Sequence, residues 1–147
     1  MGLALPVKEN EPSADLTLQP TEPPPRPRKL LYVEDQDLNL RLVERILVHR
    51  PAYRLISAMQ GGLALDLARE HQPDLILLDL NLPDIPGDEV LRRLKADDEL
   101  HTIPVIMISA DAMGDRIEQL LKLGATGYLT KPYKVREFLE CIEKALN

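Results

Sequence analysis

Three acids, one hydroxyl and one amine have the type and spacing to do chemistry in this chain: Glu34 and Asp35, Asp79, Ser109 and Lys131. Each ends or directly follows a short apolar stretch. Leu30 to Val33 runs into Glu34-Asp35, Leu75 to Leu78 into Asp79, Val105 to Ile108 into Ser109, and Gly127 to Thr130 into Lys131. Carboxylates held close together repel, and without a cation one is pushed toward its neutral form. Mg²⁺ removes that conflict, since it takes octahedral oxygen ligands, usually one or two carboxylates with waters and a phosphate oxygen. The mobile charge of Lys131 suits a phosphoryl group, and a carboxylate can attack phosphorus to give an aspartyl phosphate. Phosphoryl transfer asks mainly for positioning and charge neutralisation, which this set supplies. Singly, each residue also has an ordinary reading. Asp79 could cap a turn, Glu34-Asp35 could be solvated turn acids, Ser109 a helix-start hydroxyl and Lys131 a surface lysine. The argument for a site is their joint order.

The elements that must position them follow from the apolar pattern. A continuous apolar run bounded by turn signals suits a strand buried on both faces of a parallel sheet. Leu30 to Val33, Arg54 to Ala58, Leu75 to Asp79, Pro104 to Ser109 and Gly127 to Thr130 read as such strands, the second the weakest. Helical stripes separate them: Leu42, Val43, Ile46 and Leu47, with Asp37 as N-cap; Ala64, Leu67, Ala68 and His71; Val90, Leu91 and Leu94; Ile117, Leu120 and Leu121, stopping at Gly124; and Val135, Phe138, Leu139, Ile142 and Leu146. Alternating strands and helices require parallel strands joined by right-handed crossovers. The fold class is therefore α/β, one doubly wound five-stranded parallel sheet. Its strand C-termini share one edge, which is where open α/β sheets bind ligands.

Residues 1–28 differ, with prolines at 6, 12, 20, 23, 24, 25 and 27 among Glu, Ser, Thr and Asp. They read as a disordered linker or tail, leaving 29–147 as the one domain. The apolar start, Leu3 to Val7, is compatible with the end of a preceding domain. A net charge of -6 argues against phosphate-backbone binding, and 3% aromatics argue against a base-stacking surface. The single cysteine, Cys141, has no partner for a disulfide or a zinc site. His49, His71 and His101 lack metal-ligand spacing, and Gly61-Gly62 is a turn rather than a dinucleotide fingerprint. No apolar run reaches the length of a membrane span and no signal peptide is visible, so the expected location is cytoplasmic.

From about Lys29 to Asn147 the chain resembles the receiver domains of bacterial two-component response regulators. The resemblance is carried by Glu34-Asp35, by Asp79 followed by Leu-Asn-Leu-Pro and Gly87, by Ser109-Ala110, and by Lys131-Pro132. It implies the flavodoxin-like (βα)5 fold with strand order 2-1-3-4-5. Asp79 is then the phosphoacceptor, charged from the phosphohistidine of a histidine kinase or histidine phosphotransfer domain. Asp35, Asp79 and the backbone carbonyl of Asn81 bind Mg²⁺ (or Mn²⁺), with Glu34 acting through water. Lys131 pairs with the phosphoryl group across a cis Lys131-Pro132 bond, and Ser109 and Tyr128 turn inward as the switch. Asn81 and Asp111 occupy positions that tune dephosphorylation, Asp111 also capping the fourth helix. Ser109 stands where Thr is commoner, and Pro86 where many members have Asp. Output runs through the helix 4–strand 5–helix 5 face, which also admits a homodimer. The implied phosphoprotein is a signalling module, catalysing only its own phosphorylation and dephosphorylation, with no nucleic-acid partner and no membrane contact. It is either a free single-domain regulator or the C-terminal receiver of a hybrid histidine kinase. The alternative is an aspartyl-nucleophile phosphatase or phosphotransferase, in which a second Asp usually stands where this chain has Asn81.

Overall fold

The computed structural model describes residues 26–111 and 113–147, and within them strand and helix alternate from start to end. The elements are β1 (Arg28–Val33), α1 (Asp37–Leu47), β2 (Tyr53–Ala58), α2 (Gly61–His71), β3 (Leu75–Asp79), α3 (Gly87–Ala96), β4 (Val105–Ser109), α4 (Gly114–Lys122), β5 (Gly127–Thr130) and α5 (Val135–Leu146). All five strands are parallel in the order β2-β1-β3-β4-β5, the doubly wound order expected. Of the Pro-rich segment, residues 1–25 lie outside those described. Strand β1 starts at Arg28, which pairs with Tyr53.

The strand pattern follows from burial. Every residue of β3 and β4 is buried, as a central parallel strand requires, whereas β2 at the edge alternates and is partly exposed. Odd and even positions feed two cores. Leu31, Val33, Ile76, Leu78 and Met107 face α2, α3 and α4, and Leu30, Tyr32, Leu77, Ile106 and Ile108 face α1 and α5. At roughly 1.5–3 kcal/mol for each fully buried large apolar side chain, these layers dominate the fold's stability. On the first face Ala64 and Ala68 let α2 lie close to the sheet; on the second, Phe138 and Ile142 anchor α5.

Three expectations about helix starts and faces need correction. The buried stripe of α1 is Leu40, Val43 and Leu47, which pack with Leu30, Tyr32 and Phe138, while Leu42 is exposed. Its N-cap is Gln36, with Asp37 the first helical residue, so Asp37 acts through its charge at the positive helix end rather than as a cap. Asp111 likewise caps a turn rather than α4 itself. Its Oδ1 accepts from the N–H of Met113, which is the N-cap residue of that helix. Gly124 follows α4 with φ +113°, the left-handed position expected of a C′ glycine.

Candidate active site and metal centre

The strand ends deliver the predicted side chains to one edge of the sheet. Asp79 ends β3 and Ser109 ends β4; Glu34 directly follows β1, and Lys131 directly follows β5. Parallel register aligns the ends, with Val33 beside Leu78, Asp79 beside Ile108, and Ser109 beside Thr130. Glu34, Asp35 and Asp79 each present a carboxylate oxygen within 4.8 Å of the others. Lys131 Nζ donates to Glu34 Oε1 at 2.9 Å and to Asp79 Oδ2 at 3.1 Å. The Lys131-Pro132 peptide is cis. Four of the predicted groups therefore meet in space.

Ser109 is buried beside them, and its Oγ accepts from the N–H of Asp111 at 3.1 Å. Tyr128 is half-buried, and its hydroxyl donates to the backbone carbonyl of Asp111, so the predicted switch aromatic is tied to the β4–α4 loop. The N–H of Asn81 donates to Asp79 Oδ1 at 3.1 Å. On the side away from Lys131, a groove of about 540 Å³ opens between Asn81, Pro86, Asp88, Ser109 and Asp111.

Electrostatics divides the acids into unlike partners. Burial pushes the Asp79 carboxyl up to about 6, against the pull of the Asn81 N–H, and the neighbouring Glu34 adds to the rise. Burial also works to raise Glu34, but hydrogen bonds from Lys131, Asp79 and the Gln36 N–H outweigh it and hold that carboxyl below its usual range. For Lys131, burial opposes the charge and the two carboxylates more than compensate, so its pKa is raised. A half-buried lysine thus neutralises part of an acid cluster whose Asp79 carboxyl is still pushed up by its neighbour Glu34. Three oxygen acids and no sulfur or imidazole form a donor set for a hard dication, and this set fits Mg²⁺ or Mn²⁺.

Three residues with a part in the site, Tyr32, Asn39 and Asp84, carry no chemical signal in the sequence. Tyr32 reads as one more apolar strand residue, yet its hydroxyl donates to Glu34 Oε1 at 3.0 Å, and Asn39 Nδ2 reaches the same oxygen at 3.1 Å. Burial, followed by the Tyr133 and Glu34 neighbours, drives the Tyr32 pKa far up, so it remains a donor. Asp84 accepts from the N–H groups of Gly61 and Gly62, both at 2.8 Å, clamping the β3–α3 loop to the N-terminus of α2. Gly87 leaves room for the backbone of Asp79 to pass. Asp84→Ala is expected to lower the melting temperature by about 3 °C and to speed amide exchange at Gly61 and Gly62 about tenfold. Unchanged exchange at both amides, followed by NMR, would refute the clamp.

Among the described residues no helix is long and apolar enough to cross a membrane. Residues 30–143 match the family model described as the response regulator receiver domain. The polar-differentiation response regulator DivK of Brucella anthropi is 45% identical over 121 residues, covering 82% of this chain and 98% of DivK. The chemotaxis protein CheY4 of Vibrio cholerae superposes with a TM-score of 0.77 at 25% identity, covering 82% of this chain and 100% of CheY4. The receiver domain of the sensor histidine kinase PA1611 from Pseudomonas aeruginosa, solved with a magnesium ion coordinated in its active-site cleft, superposes with a TM-score of 0.74 at 30% identity, covering 82% and 98%. The chain belongs to the response regulator receiver domain family of two-component signalling.

Proposed function

We propose that Asp79 accepts a phosphoryl group from phosphohistidine and that the resulting aspartyl phosphate switches partner binding. The observation that carries this reading is the position of Lys131 Nζ, between Glu34 and Asp79 in a cluster of three carboxylates. An oxygen of Asp79 attacks phosphorus, the P–N bond to the imidazole breaks, and the imidazole nitrogen leaves with the bonding pair. Lys131 is poised to follow the new charge from carboxylate to phosphoryl oxygen, and the Ser109 hydroxyl, which accepts from the Asp111 N–H, keeps its own proton to donate to another. Mg²⁺, or Mn²⁺ in its place, supplies the neutralising charge when bound. Asp35, Asp79 and the Asn81 carbonyl would hold it directly, with Glu34 behind a water.

Surface chemistry supports two partner faces. Leu38 and Leu42 stand exposed on α1 near the Lys131-Pro132-Tyr133 rim, suiting a phosphodonor domain from a histidine kinase or phosphotransfer protein. Met113 and Leu121 stand exposed along α4, suiting a readout partner or a second copy on the α4–β5–α5 face. Ser109 and Tyr128 connect the site to that face through Asp111. The chain acts in this reading as a cytoplasmic signalling domain joined to the Pro-rich segment as a linker.

Incubation with Mg²⁺ and acetyl phosphate should add the mass of one phosphoryl group to the intact protein, and EDTA should prevent it. No mass gain, or turnover of a small phosphate ester beyond one equivalent, would overturn the reading, the latter in favour of an aspartyl phosphatase. Asp111→Ala is expected to slow decay of the phosphorylated form roughly 2–10-fold, because its carboxylate lines the groove through which water approaches. An unchanged decay rate would remove Asp111 from that role.

A further inference from the structure

Glu34 gathers four donors, three of them on one oxygen. Its Oε1 accepts from Tyr32 Oη at 3.0 Å, Asn39 Nδ2 at 3.1 Å and Lys131 Nζ at 2.9 Å, and its Oε2 from the Gln36 N–H at 3.1 Å. A carboxylate offers about four lone-pair sites. These donors are not equivalent. Gln36 is exposed, Asn39 half-buried and Lys131 partly exposed, so each can trade its bond for one to water. Tyr32 cannot, because its side chain is 0% exposed and packed in the core with Leu40, Val43 and Phe138. Moving Glu34 outward toward a cation would take the charged acceptor from that hydroxyl and leave it the weaker, neutral oxygen of Tyr133.

We propose that Tyr32 is a positioning residue that anchors Glu34 outside the direct coordination sphere of the dication and thereby biases the site toward Mg²⁺ over Ca²⁺. Mg²⁺ keeps several waters and demands near-ideal octahedral geometry, whereas Ca²⁺ takes six to eight oxygens at longer, more flexible distances. An anchored Glu34 serves the first ion through water and denies the second an extra carboxylate. Freed by loss of the hydroxyl, Glu34 becomes available as a direct ligand, which favours the larger ion. The inference rests on the acid cluster being a divalent-cation site.

The test is calorimetric titration of the full chain with MgCl₂ and with CaCl₂, for wild type, Tyr32→Phe and Asn39→Ala. Removing an outer-shell partner typically weakens metal binding 10–100-fold. Tyr32→Phe should therefore bind Mg²⁺ about tenfold more weakly without losing Ca²⁺ affinity, while Asn39→Ala, whose donor water can replace, leaves the Mg²⁺/Ca²⁺ ratio within about twofold. General damage to the fold would weaken both ions alike. An unchanged ratio in Tyr32→Phe, or an equal shift in Asn39→Ala, overturns the proposal. In the wild type, the Tyr32 hydroxyl proton should stay protected from exchange in NMR spectra after Mg²⁺ is added. Its loss overturns the proposal even if the Phe variant fails to fold. A wild type that binds neither ion overturns the cation-site reading itself, and a wild type that binds Mg²⁺ while the ratio stays fixed overturns only the role of Tyr32.

Discussion

Asp79→Asn should take up no phosphoryl group from acetyl phosphate and, in EDTA at neutral pH, should melt about 10 °C above the wild type. The first effect follows from chemistry, since an amide is no nucleophile toward phosphorus in the way a carboxylate is. The second follows from the environment of Asp79, which is 3% exposed and whose pKa rises from 3.8 to about 6 on folding. A group whose pKa is raised in the folded state contributes stability that is complete below its unfolded pKa and is lost as pH rises through the folded value. For Asp79 that window runs from about 4 to about 6, and above it the ionised carboxylate costs on the order of 3 kcal/mol. The attraction of Lys131 is already included in that figure, because the pKa is raised in spite of it. The stability gap between variant and wild type should therefore be small at pH 4 and fully open at pH 7. Mg²⁺ should narrow it from the wild-type side, by about 1.4 kcal/mol when the ion stands at ten times its Kd. A gap that does not change between pH 4 and pH 7 would mean that Asp79 carries no buried charge at neutral pH.

Asp79 and its companions were legible in the sequence for a specific reason. A parallel strand buried on both faces leaves an unbroken apolar run, and the first polar residue after it marks the strand's C-terminal end. Leu75 to Leu78 before Asp79 and Val105 to Ile108 before Ser109 are such runs, and both strands are buried throughout. What could not be read depends on distances between segments remote in the chain. Tyr32 is the local exception: it matches an apolar position in β1, yet its hydroxyl donates to Glu34 only two residues on, within a core that α1 and α5 close over the ring. Asp84 looks like any turn acid until α2 brings two free N–H groups against it. Leu40, Leu42 and Val43 are all apolar and neighbouring helical positions differ by only 100° of rotation, so the pattern alone does not fix that Leu40 faces inward and Leu42 outward.

Gly87→Ala should lower stability by about 3 kcal/mol and slow phosphorylation at least tenfold, although residue 87 carries no functional group. A Cβ there would lie 2.3 Å from the carbonyl oxygen of Asp79, 2.7 Å from Cα of Leu80 and 3.0 Å from the carbonyl carbon of Asp79. All three are backbone atoms, so no side chain can rotate away. The N–H of Gly87 also donates to the carbonyl of Leu80 at 2.9 Å, which fixes α3 against the end of β3. Relief has to come from moving the Asp79-Leu80 segment or from withdrawing the start of α3. The first shifts the Asp79 carboxylate from its 3.1 Å contact with Lys131, and the second pulls Val90, Leu91 and Leu94 out of the core. Gly114→Ala supplies the contrast within the same protein. Among the described residues a Cβ at Gly114 meets nothing within 4 Å, and an alanine at the start of α4 should be neutral or stabilising by up to about 1 kcal/mol, with phosphorylation unchanged. Melting curves and single-turnover phosphorylation of both variants separate the two cases. If Gly87→Ala behaved like Gly114→Ala in both measurements, the β3–α3 loop would have to be loose enough to absorb a methyl group beside the acceptor. The paired backbone bonds that Asp84 makes to α2 argue that it is not.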